Sequence, residues 1–189
     1  MKVVDLSGSS RMTTLMNLTR ALKNCRSPYE ALLMYCRYLR DANPGRAHLV
    51  LSTAGLPPGQ YRVWRLLSDD GIERVELSNP WEDLSRPVYA GGIIASIIQN
   101  PTPQLVHNID WSEDTHFADA LAPYHSLIAV PLFNAGLPLN WSIVLTREPE
   151  FFTPTHLEDS VMRATLIGSL LGSLHVTREL ASAHAHIEA

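Results

Sequence analysis

Cysteine, long apolar runs and surplus positive charge are all scarce in this sequence of 189 residues. Its two cysteines, Cys25 and Cys36, fall in predicted helices, where they suit a reducing cytoplasm as small buried side chains. No apolar run approaches the roughly 18 residues that a membrane-spanning helix needs. The first residues also lack the apolar stretch of a signal peptide. We therefore predict a cytoplasmic chain that does not insert into a membrane.

The charge balance excludes a further class of protein. Fifteen Lys and Arg residues stand against nineteen Asp and Glu residues, which gives a formal net charge of −4. A nucleic-acid-binding protein normally has the opposite balance, because neutralisation of phosphates dominates its affinity. The hydrophobic share of 46% is that of an ordinary globular protein. We expect one globular domain that binds no nucleic acid.

Motifs of well-known catalytic and phosphate-binding sites are missing from the sequence. The chain has no Gly-x-Ser-x-Gly elbow and no His-Glu-x-x-His helix. Gly91-Gly92 begins a predicted helix, but the further glycines and the lysine of a phosphate-binding loop are not there. We therefore predict that this chain contains no catalytic residues and is not an enzyme.

The spacing of apolar residues divides the chain into two helices, a group of strands, a short helix, further strands and a long final helix. Residues 11–25 have helical spacing, and Ser27-Pro28 followed by Glu30 is typical of a helix start. Ser68-Asp69-Asp70-Gly71 and Asn134-Ala135-Gly136 predict hairpin turns. The spacing predicts a short helix over 90–99 and strands over 48–52, 60–67, 72–77, 105–109, 127–133 and 141–145. This order predicts an α+β fold.

The last predicted helix, from Pro154 to Ala189, is longer than one domain of this size requires. One apolar stripe suits packing on a sheet and consists of Leu157, Val161, Ala164, Leu171 and Leu174. A second stripe at near-heptad spacing, together with small residues at every fourth position, predicts a parallel dimer seam. The residues assigned to this seam are Ala164, Leu166, Gly168, Leu170, Gly172, Leu180 and Ile187. The alternative is a helix whose glycines make room on its own sheet.

Two stretches of the sequence resemble the GAF-domain family. One is Ala129-Val130-Pro131-Leu132-Phe133, followed by a turn and a strand, and the other is Phe152-Thr153-Pro154-Thr155-His156-Leu157, which enters the last helix. The resemblance covers about residues 27–175, although the glycine often found in the family's last strand is replaced around Asn140-Trp141. It implies an antiparallel sheet of about six strands flanked by helices, with long helices at both ends. It also implies a sensory or regulatory module.

On this interpretation the chain has three parts: an N-terminal helix over 1–26, a GAF-like domain over 27–175 and a helical linker over 176–189. The uncapped end at Ala189 predicts a longer protein in which an output domain follows. The resemblance is to modules that precede SpoIIE-type phosphatases or histidine kinases. We expect a homodimer through the terminal helices that couples a small-molecule or partner signal to that output.

The most polar cluster in the region where the resemblance places a ligand consists of His107, Asp110, Asp114 and His116, with Trp111 and Phe117 between them. A pocket would also be lined by Trp64, Tyr89, Tyr124 and His125. Imidazole and carboxylate groups can hold a metal ion, but this loop spacing fixes no coordination geometry, so we predict no metal site. The alternative is a solvated loop with two aromatic plugs.

The family's cofactor signatures are missing. A bilin chromophore in this family needs a cysteine in or near the pocket loops, and the cyclic-nucleotide-binding members have an Asn-Lys-x-Phe-Asp motif. Neither feature occurs here. We therefore predict no cofactor.

Two other functions fit the same fold. A GAF-fold enzyme such as a free methionine sulfoxide reductase requires cysteines in the pocket, and the predicted helical positions of Cys25 and Cys36 argue against it. A purely structural dimerisation domain would fill the pocket with its own side chains.

Overall fold

Five helices and seven strands lie in the part of the chain that the structure describes. The computed structural model describes residues 10–79, 83, 85–134 and 137–187. The helices are α1 (Ser10–Lys23), α2 (Pro28–Ala42), α3 (Gly92–Gln99), α4 (Ala118–Leu121) and α5 (Pro154–Ile187). The strands are β1 (Ala47–Ser52), β2 (Gln60–Leu67), β3 (Glu73–Val75), β4 (Tyr89–Ala90), β5 (Gln104–Val106), β6 (Ser126–Asn134) and β7 (Leu137–Thr146). A 3-10 turn covers Trp111–Glu113.

The strands form one antiparallel sheet in the order β3-β2-β1-β7-β6-β5, and the short β4 pairs with β2. The predicted α+β fold with an antiparallel sheet is therefore confirmed. The seventh strand is the two-residue β4, which the sequence does not predict. Two residues have too little apolar periodicity to be recognised from sequence.

The sheet has an apolar core on each face because side chains alternate along its strands. On β1, Ala47, Leu49 and Leu51 point to one face, where they pack with α3 and the segment that follows β5. On the same strand, Val50 packs on the other face with Leu32 of α2. Helices α1, α2 and α5 cover that second face. We refer to these as the α3 face and the helix face.

Helix α2 begins as its sequence predicts. The Ser27 hydroxyl accepts a hydrogen bond from the Glu30 amide at 3.1 Å, and Pro28 occupies the first turn. The Glu30 carboxylate reaches back to the Arg26 amide at 2.8 Å, one residue earlier than in a standard capping box. Cys25, predicted to be helical, instead lies in the connection between α1 and α2. Its backbone amide donates to the carbonyl of Leu22 in the last turn of α1, which ends at Lys23.

Helix α5 packs on its own sheet through its small residues. A Cβ at Gly168 would lie 3.1 Å from the carbonyl oxygen of Phe133 in β6, so the bare backbone permits this close approach. Ala164 and Gly172 are also buried within the chain. These three residues therefore do not form the outer dimer seam predicted for them. The sequence shows small residues at every fourth position, but it does not show which neighbour they contact.

The remaining seam residues have different environments. Leu166 is exposed, whereas Leu170 is partly buried against the core of the helix face. Leu180 and Ile187 belong to α5, but their side chains lie outside the described residues. The exposed apolar side chains on the described part of α5 are Met162, Leu166 and Val176.

A buried histidine makes the helix face sensitive to acid. His48 of β1 is 2% exposed, and neither of its ring nitrogens has a hydrogen-bond partner among the described residues. Burial lowers the pKa of His48 to about 4, and the positive charge of Arg65 contributes to the shift. The imidazole is therefore neutral in the folded chain at neutral pH.

We predict that stability falls as the pH decreases from about 6.5 to about 4. The unfolded chain binds a proton at His48 near pH 6.5, but the folded chain binds it only near pH 4. The free energy of unfolding should lose about 3 kcal/mol from this group across that window. Urea denaturation at several pH values should show a smaller loss for His48→Leu than for the wild type.

The exposed His125 provides the matched control for this experiment. His125→Gln should follow the wild-type pH profile. Parallel profiles for the wild type and His48→Leu would contradict the assignment.

Candidate functional site

The α3 face is filled with aromatic side chains. Tyr61, Trp141 and Trp111 are at most 2% exposed, and Phe117 and Tyr124 are also buried. Tyr89 lies 5.0 Å from Phe117 and 5.8 Å from Tyr61, measured between ring centroids. The predicted pocket residues Tyr89, Trp111, Phe117 and Tyr124 therefore pack in one core cluster. In this structure their main physical role is packing.

Asp114 binds two neighbouring segments together. One carboxylate oxygen accepts hydrogen bonds from the amides of Ile93 and Ile94, at 3.0 and 3.3 Å, in the first turn of α3. The other accepts from the amides of His116 and Phe117, at 3.1 and 2.8 Å, just before α4. Asp114 is 5% exposed, so this buried carboxylate caps the start of α3 and ties the turn before α4 to it.

Gly92 allows this cap to form. Its φ is +75°, and a Cβ there would lie 2.7 Å from an oxygen of Asp114 and 2.9 Å from the amide nitrogen of Thr115. A side chain at this position would meet both the carboxylate and the backbone. Gly91-Gly92, which in the sequence only partly matched a phosphate-binding loop, instead makes room for a carboxylate of the same chain.

His116 closes the edge of the aromatic cluster. Its Nε2 atom lies 3.0 Å from the carbonyl oxygen of Ala90, and its ring lies 5.1 Å from that of Tyr89. His116 is exposed, so this contact joins β4 to the segment before α4 at the protein surface. His116 therefore lies at the rim of the aromatic cluster.

Tyr124 connects the cluster to the hairpin between β2 and β3. The Tyr124 hydroxyl donates to Asp69 at 3.0 Å, and Arg147 donates two hydrogen bonds to the same carboxylate at 2.5 and 2.9 Å. The hydrogen bonds from Arg147 hold the pKa of Asp69 below its usual value. The indole Nε1 of Trp111 donates to the Tyr124 carbonyl at 2.6 Å.

Four predicted pocket residues lie elsewhere. Trp64 packs on the helix face with Leu32 of α2, because it has the opposite orientation to Val63 on β2. Asp110 is exposed and caps the 3-10 turn by accepting from the Ser112 amide at 3.0 Å. His107 and His125 are also exposed.

His107 and His125 each have a structural contact. His107 places Nε2 3.0 Å from the carbonyl oxygen of Phe152, just before α5. His125 contributes backbone hydrogen bonds, since its carbonyl accepts from Ile109 and its amide donates to Thr146. The structure therefore does not gather all ten predicted pocket residues around one space.

Two buried polar groups on the α3 face are not predicted as site residues by the sequence. The hydroxyl of Tyr61 and the indole Nε1 of Trp141 have no hydrogen-bond partner among the described residues. Burial raises the pKa of Tyr61 above its ordinary value. Both residues occur in strands rich in apolar residues, so the sequence alone identifies them only as core positions.

A cavity of about 570 Å³ opens on the helix face. Its floor includes Ile128 of β6 and Val144 of β7, and its walls come from α1, α2, α5 and the segment before α5. Three arginines line it, Arg11, Arg46 and Arg163, together with the carboxylates of Asp41 and Asp159. None of these residues was a predicted site residue, since they come from four separate segments with no common motif.

The ring of Phe151 holds two of the cavity's polar side chains. The guanidinium carbon of Arg46 lies 4.0 Å from the centroid of this ring. The His156 ring is stacked on Phe151 at 5.3 Å, with an interplanar angle of 10°. His156 Nδ1 accepts a hydrogen bond from the Thr153 amide at 3.1 Å, so the proton of the neutral ring is on Nε2.

The described residues lack two further features, a metal site and a membrane span. No group of three His, Cys, Asp or Glu side chains there comes close enough together to hold a metal ion. In that same part of the chain, no helix has the length and apolar character needed to cross a membrane.

Structural comparison identifies the fold. The chain is similar to the GAF domain of a phosphoenolpyruvate-protein phosphotransferase from Coxiella burnetii, with a TM-score of 0.67, 15% identity and coverage of 92% of this chain and 99% of that one. The corresponding GAF domain from Acinetobacter matches with a TM-score of 0.63 and 14% identity, and the match covers 91% of this chain and 99% of that one. The chain is also similar to the free methionine-R-sulfoxide reductase from Neisseria meningitidis, in complex with its substrate. The TM-score is 0.61 and the identity 14%, and the match covers 94% of this chain and 99% of that one.

The chain therefore has the GAF fold, as its sequence resemblance implied. No protein-family model matches the sequence. No curated protein sequence matches it either.

We predict that Asp114→Ala destabilises the chain by about 2–4 kcal/mol, because four backbone amides lose their acceptor. Asp114→Asn, which keeps one acceptor oxygen, should cost less. Chemical denaturation followed by circular dichroism measures both losses.

Asp110→Ala is the matched control, since it removes a neighbouring capping aspartate that is exposed. It should cost clearly less than Asp114→Ala, because solvent replaces the lost acceptor at an exposed position. Equal losses for Asp114→Ala and Asp110→Ala would contradict the role assigned to Asp114.

Proposed function

We propose that the chain is a regulatory GAF-type module that forms a homodimer through its terminal helices and passes a signal along α5 to a neighbouring output domain. The observation that carries this proposal is the length of α5. Its 34 residues extend for about 51 Å at 1.5 Å per residue. The division into an N-terminal helix over 1–26, a domain over 27–175 and a linker over 176–189 belongs to the same proposal.

The exposed side of α5 supports a dimer seam. Met162, Leu166 and Val176 are 39%, 37% and 53% exposed. If Leu166 occupies an a position, Met162 and Val176 occupy d positions, and the spacing places Leu180 and Ile187 at further a positions. This seam retains Leu166, Leu180 and Ile187 from the original prediction and replaces the buried small residues with Met162 and Val176.

Helix α1 supports the same surface. It lies beside α5, where Arg11 forms an ion pair with Asp159. Met12 and Met16, one turn apart on α1, are both exposed. An exposed pair of this kind is suited to a partner helix, since long flexible thioether side chains adapt to an apolar neighbour. In the proposed dimer, α1 and α5 of both copies contribute.

We predict that the chain is dimeric in light scattering and that Leu166→Glu makes it monomeric, because a charge at an a position must be buried without a partner. Ile72→Glu is the matched control, since Ile72 is an exposed apolar residue in the β2–β3 hairpin. The control should remain dimeric. A monomeric wild type at high protein concentration would overturn the proposal.

The packed α3 face bears on the choice between sensing and purely structural dimerisation. Its aromatic side chains fill the region that the sequence assigned to a ligand. We infer that this face serves mainly as the core that positions the helices. A ligand that acts on the module would then bind elsewhere, and the cavity on the helix face is bounded by α1 and α5.

We also propose that the chain is not a methionine sulfoxide reductase and that it is cytoplasmic. Cys25 and Cys36 are both free. Cys36 packs on the helix face, and burial raises the pKa of its thiol to about 11. Since the thiolate is the nucleophile in sulfoxide chemistry, a raised pKa disfavours it. Cys25 lies between α1 and α2, so neither thiol is on the α3 face.

We predict that the wild-type chain reduces free methionine sulfoxide no faster than a Cys25→Ala, Cys36→Ala double variant, with dithiothreitol as reductant. The assay measures the methionine formed from each sulfoxide epimer. Turnover by the wild type that is lost in the double variant would establish an enzyme and contradict this part of the proposal.

A further inference from the structure

The cavity on the helix face contains an arginine without an anionic partner. Arg163 of α5 is partly buried, and its Nε donates to the Asp159 carbonyl at 2.9 Å. No carboxylate of the described residues forms an ion pair with it. A partly buried charge that lacks a counter-charge costs free energy, and an anion beside it recovers part of that cost.

A second donor lines the same cavity. The hydroxyl of Tyr38, on α2, is buried and has no hydrogen-bond acceptor among the described residues. Tyr38 is close to Arg163, whose positive charge partly offsets the effect of burial on the tyrosine pKa. Arg163 also donates toward the Tyr38 oxygen, so the remaining N–H groups of the guanidinium and the O–H of the phenol are the donors that can hold the oxygens of one oxyanion.

The charge of the lining indicates the charge of the ligand. Arg11 pairs with Asp159, Arg46 pairs with Glu148 and Asp41 pairs with Arg40, so Arg163 is the charged side chain of the lining that has no ion-pair partner among the described residues. The whole chain has a net charge of −4, so this cavity departs from the general balance. One surplus positive charge matches a monoanion such as a carboxylate better than a phosphate dianion.

The floor of the cavity indicates the remainder of the ligand. Ile128, Val144 and Phe152 line it with apolar surface. The volume of about 570 Å³ is within the range of small-molecule sites, roughly 300–1,000 Å³. An apolar body on this floor would displace water from it, while the charged end reaches the polar wall.

We propose that this cavity is a binding site for a small organic carboxylate with an apolar body, held by Arg163 and the Tyr38 hydroxyl above the floor of Ile128 and Val144. The site lies on the opposite side of the sheet from the predicted pocket. The inference goes beyond the proposed dimer and does not depend on it, since binding can be measured whatever the oligomeric state.

The test uses three probes on the full chain: 2-naphthylacetate, its neutral analogue 2-naphthylacetamide, and inorganic phosphate. Isothermal titration calorimetry should show saturable binding of the acetate, with the amide at least tenfold weaker because it cannot neutralise Arg163. Phosphate alone should bind more weakly than the acetate, because it leaves the floor uncovered. Equal affinity for the acetate and the amide, or no saturable binding of the acetate, overturns the proposal.

Variants locate the site. Arg163→Met should weaken acetate binding at least tenfold, and Tyr38→Phe should weaken it about threefold to tenfold. Arg37→Gln is the matched control, because Arg37 is exposed on α2 and does not line the cavity. It should bind as the wild type does. Unchanged binding in Arg163→Met overturns the proposal.

A stability measurement separates a binding role from a purely structural one. Without ligand, Arg163→Met should be at least as stable as the wild type, because it removes a charge that has no partner. If Arg163→Met does not fold, Arg163 has a structural role and the proposal fails for that residue. The Tyr38→Phe comparison then decides whether the cavity binds the carboxylate, with wild-type affinity in that variant counting against it.

Discussion

The close approach of α5 to β6 determines which side chains of α5 are buried and which are exposed. Because Gly168 has no side chain, the helix backbone rests on the backbone of Phe133. This contact fixes the rotation of α5 about its own axis. Ala164 and Gly172 are then directed inward, and Met162, Leu166 and Val176 are directed outward. The exposed stripe and the wall of the cavity both result from that rotation.

The two faces of the sheet differ in how closely they are packed and in how many polar groups they contain. The α3 face contains a continuous cluster of aromatic and aliphatic residues, secured at its edge by Asp114 and by the Asp69–Arg147–Tyr124 network. The helix face is less completely filled and contains the more unusual polar groups, which include His48, Arg65 and Arg163. The terminal helices therefore contact a polar, incompletely filled surface, whereas the opposite face of the sheet is closely packed.

Much of the fold could be predicted from the sequence because its signals are local. The Ser27-Pro28 helix start and the Ser68–Gly71 hairpin depend on residues a few positions apart, and both occur in the structure. The resemblance to GAF domains implied the antiparallel sheet and its flanking helices, but not the order of the strands. The site was less predictable. The period of two along a strand separates its faces, but it does not say which face a helix covers, and so Trp64 was grouped with residues on the other side of the sheet.

Long-range contacts account for the remainder. The sequence suggests that Asp114 is a loop carboxylate, and only the folded chain brings it to the amides of Ile93 and Ile94, about twenty residues earlier. The arginines of the cavity likewise come from segments distant in the chain. By contrast, the heptad spacing of Leu166, Leu180 and Ile187 is a local pattern in the sequence, and the proposed seam keeps it without the small residues that face inward.

The cap formed by Asp114 also has a consequence for local opening of the chain. One carboxylate accepts from amides on two segments, so opening of either segment leaves a buried carboxylate with half of its hydrogen bonds and favours opening of the other. Amide protons at Ile93 and Phe117 should therefore exchange with solvent deuterium in a single cooperative event. In that case the two segments over the aromatic cluster open together, although they are about twenty residues apart in the sequence.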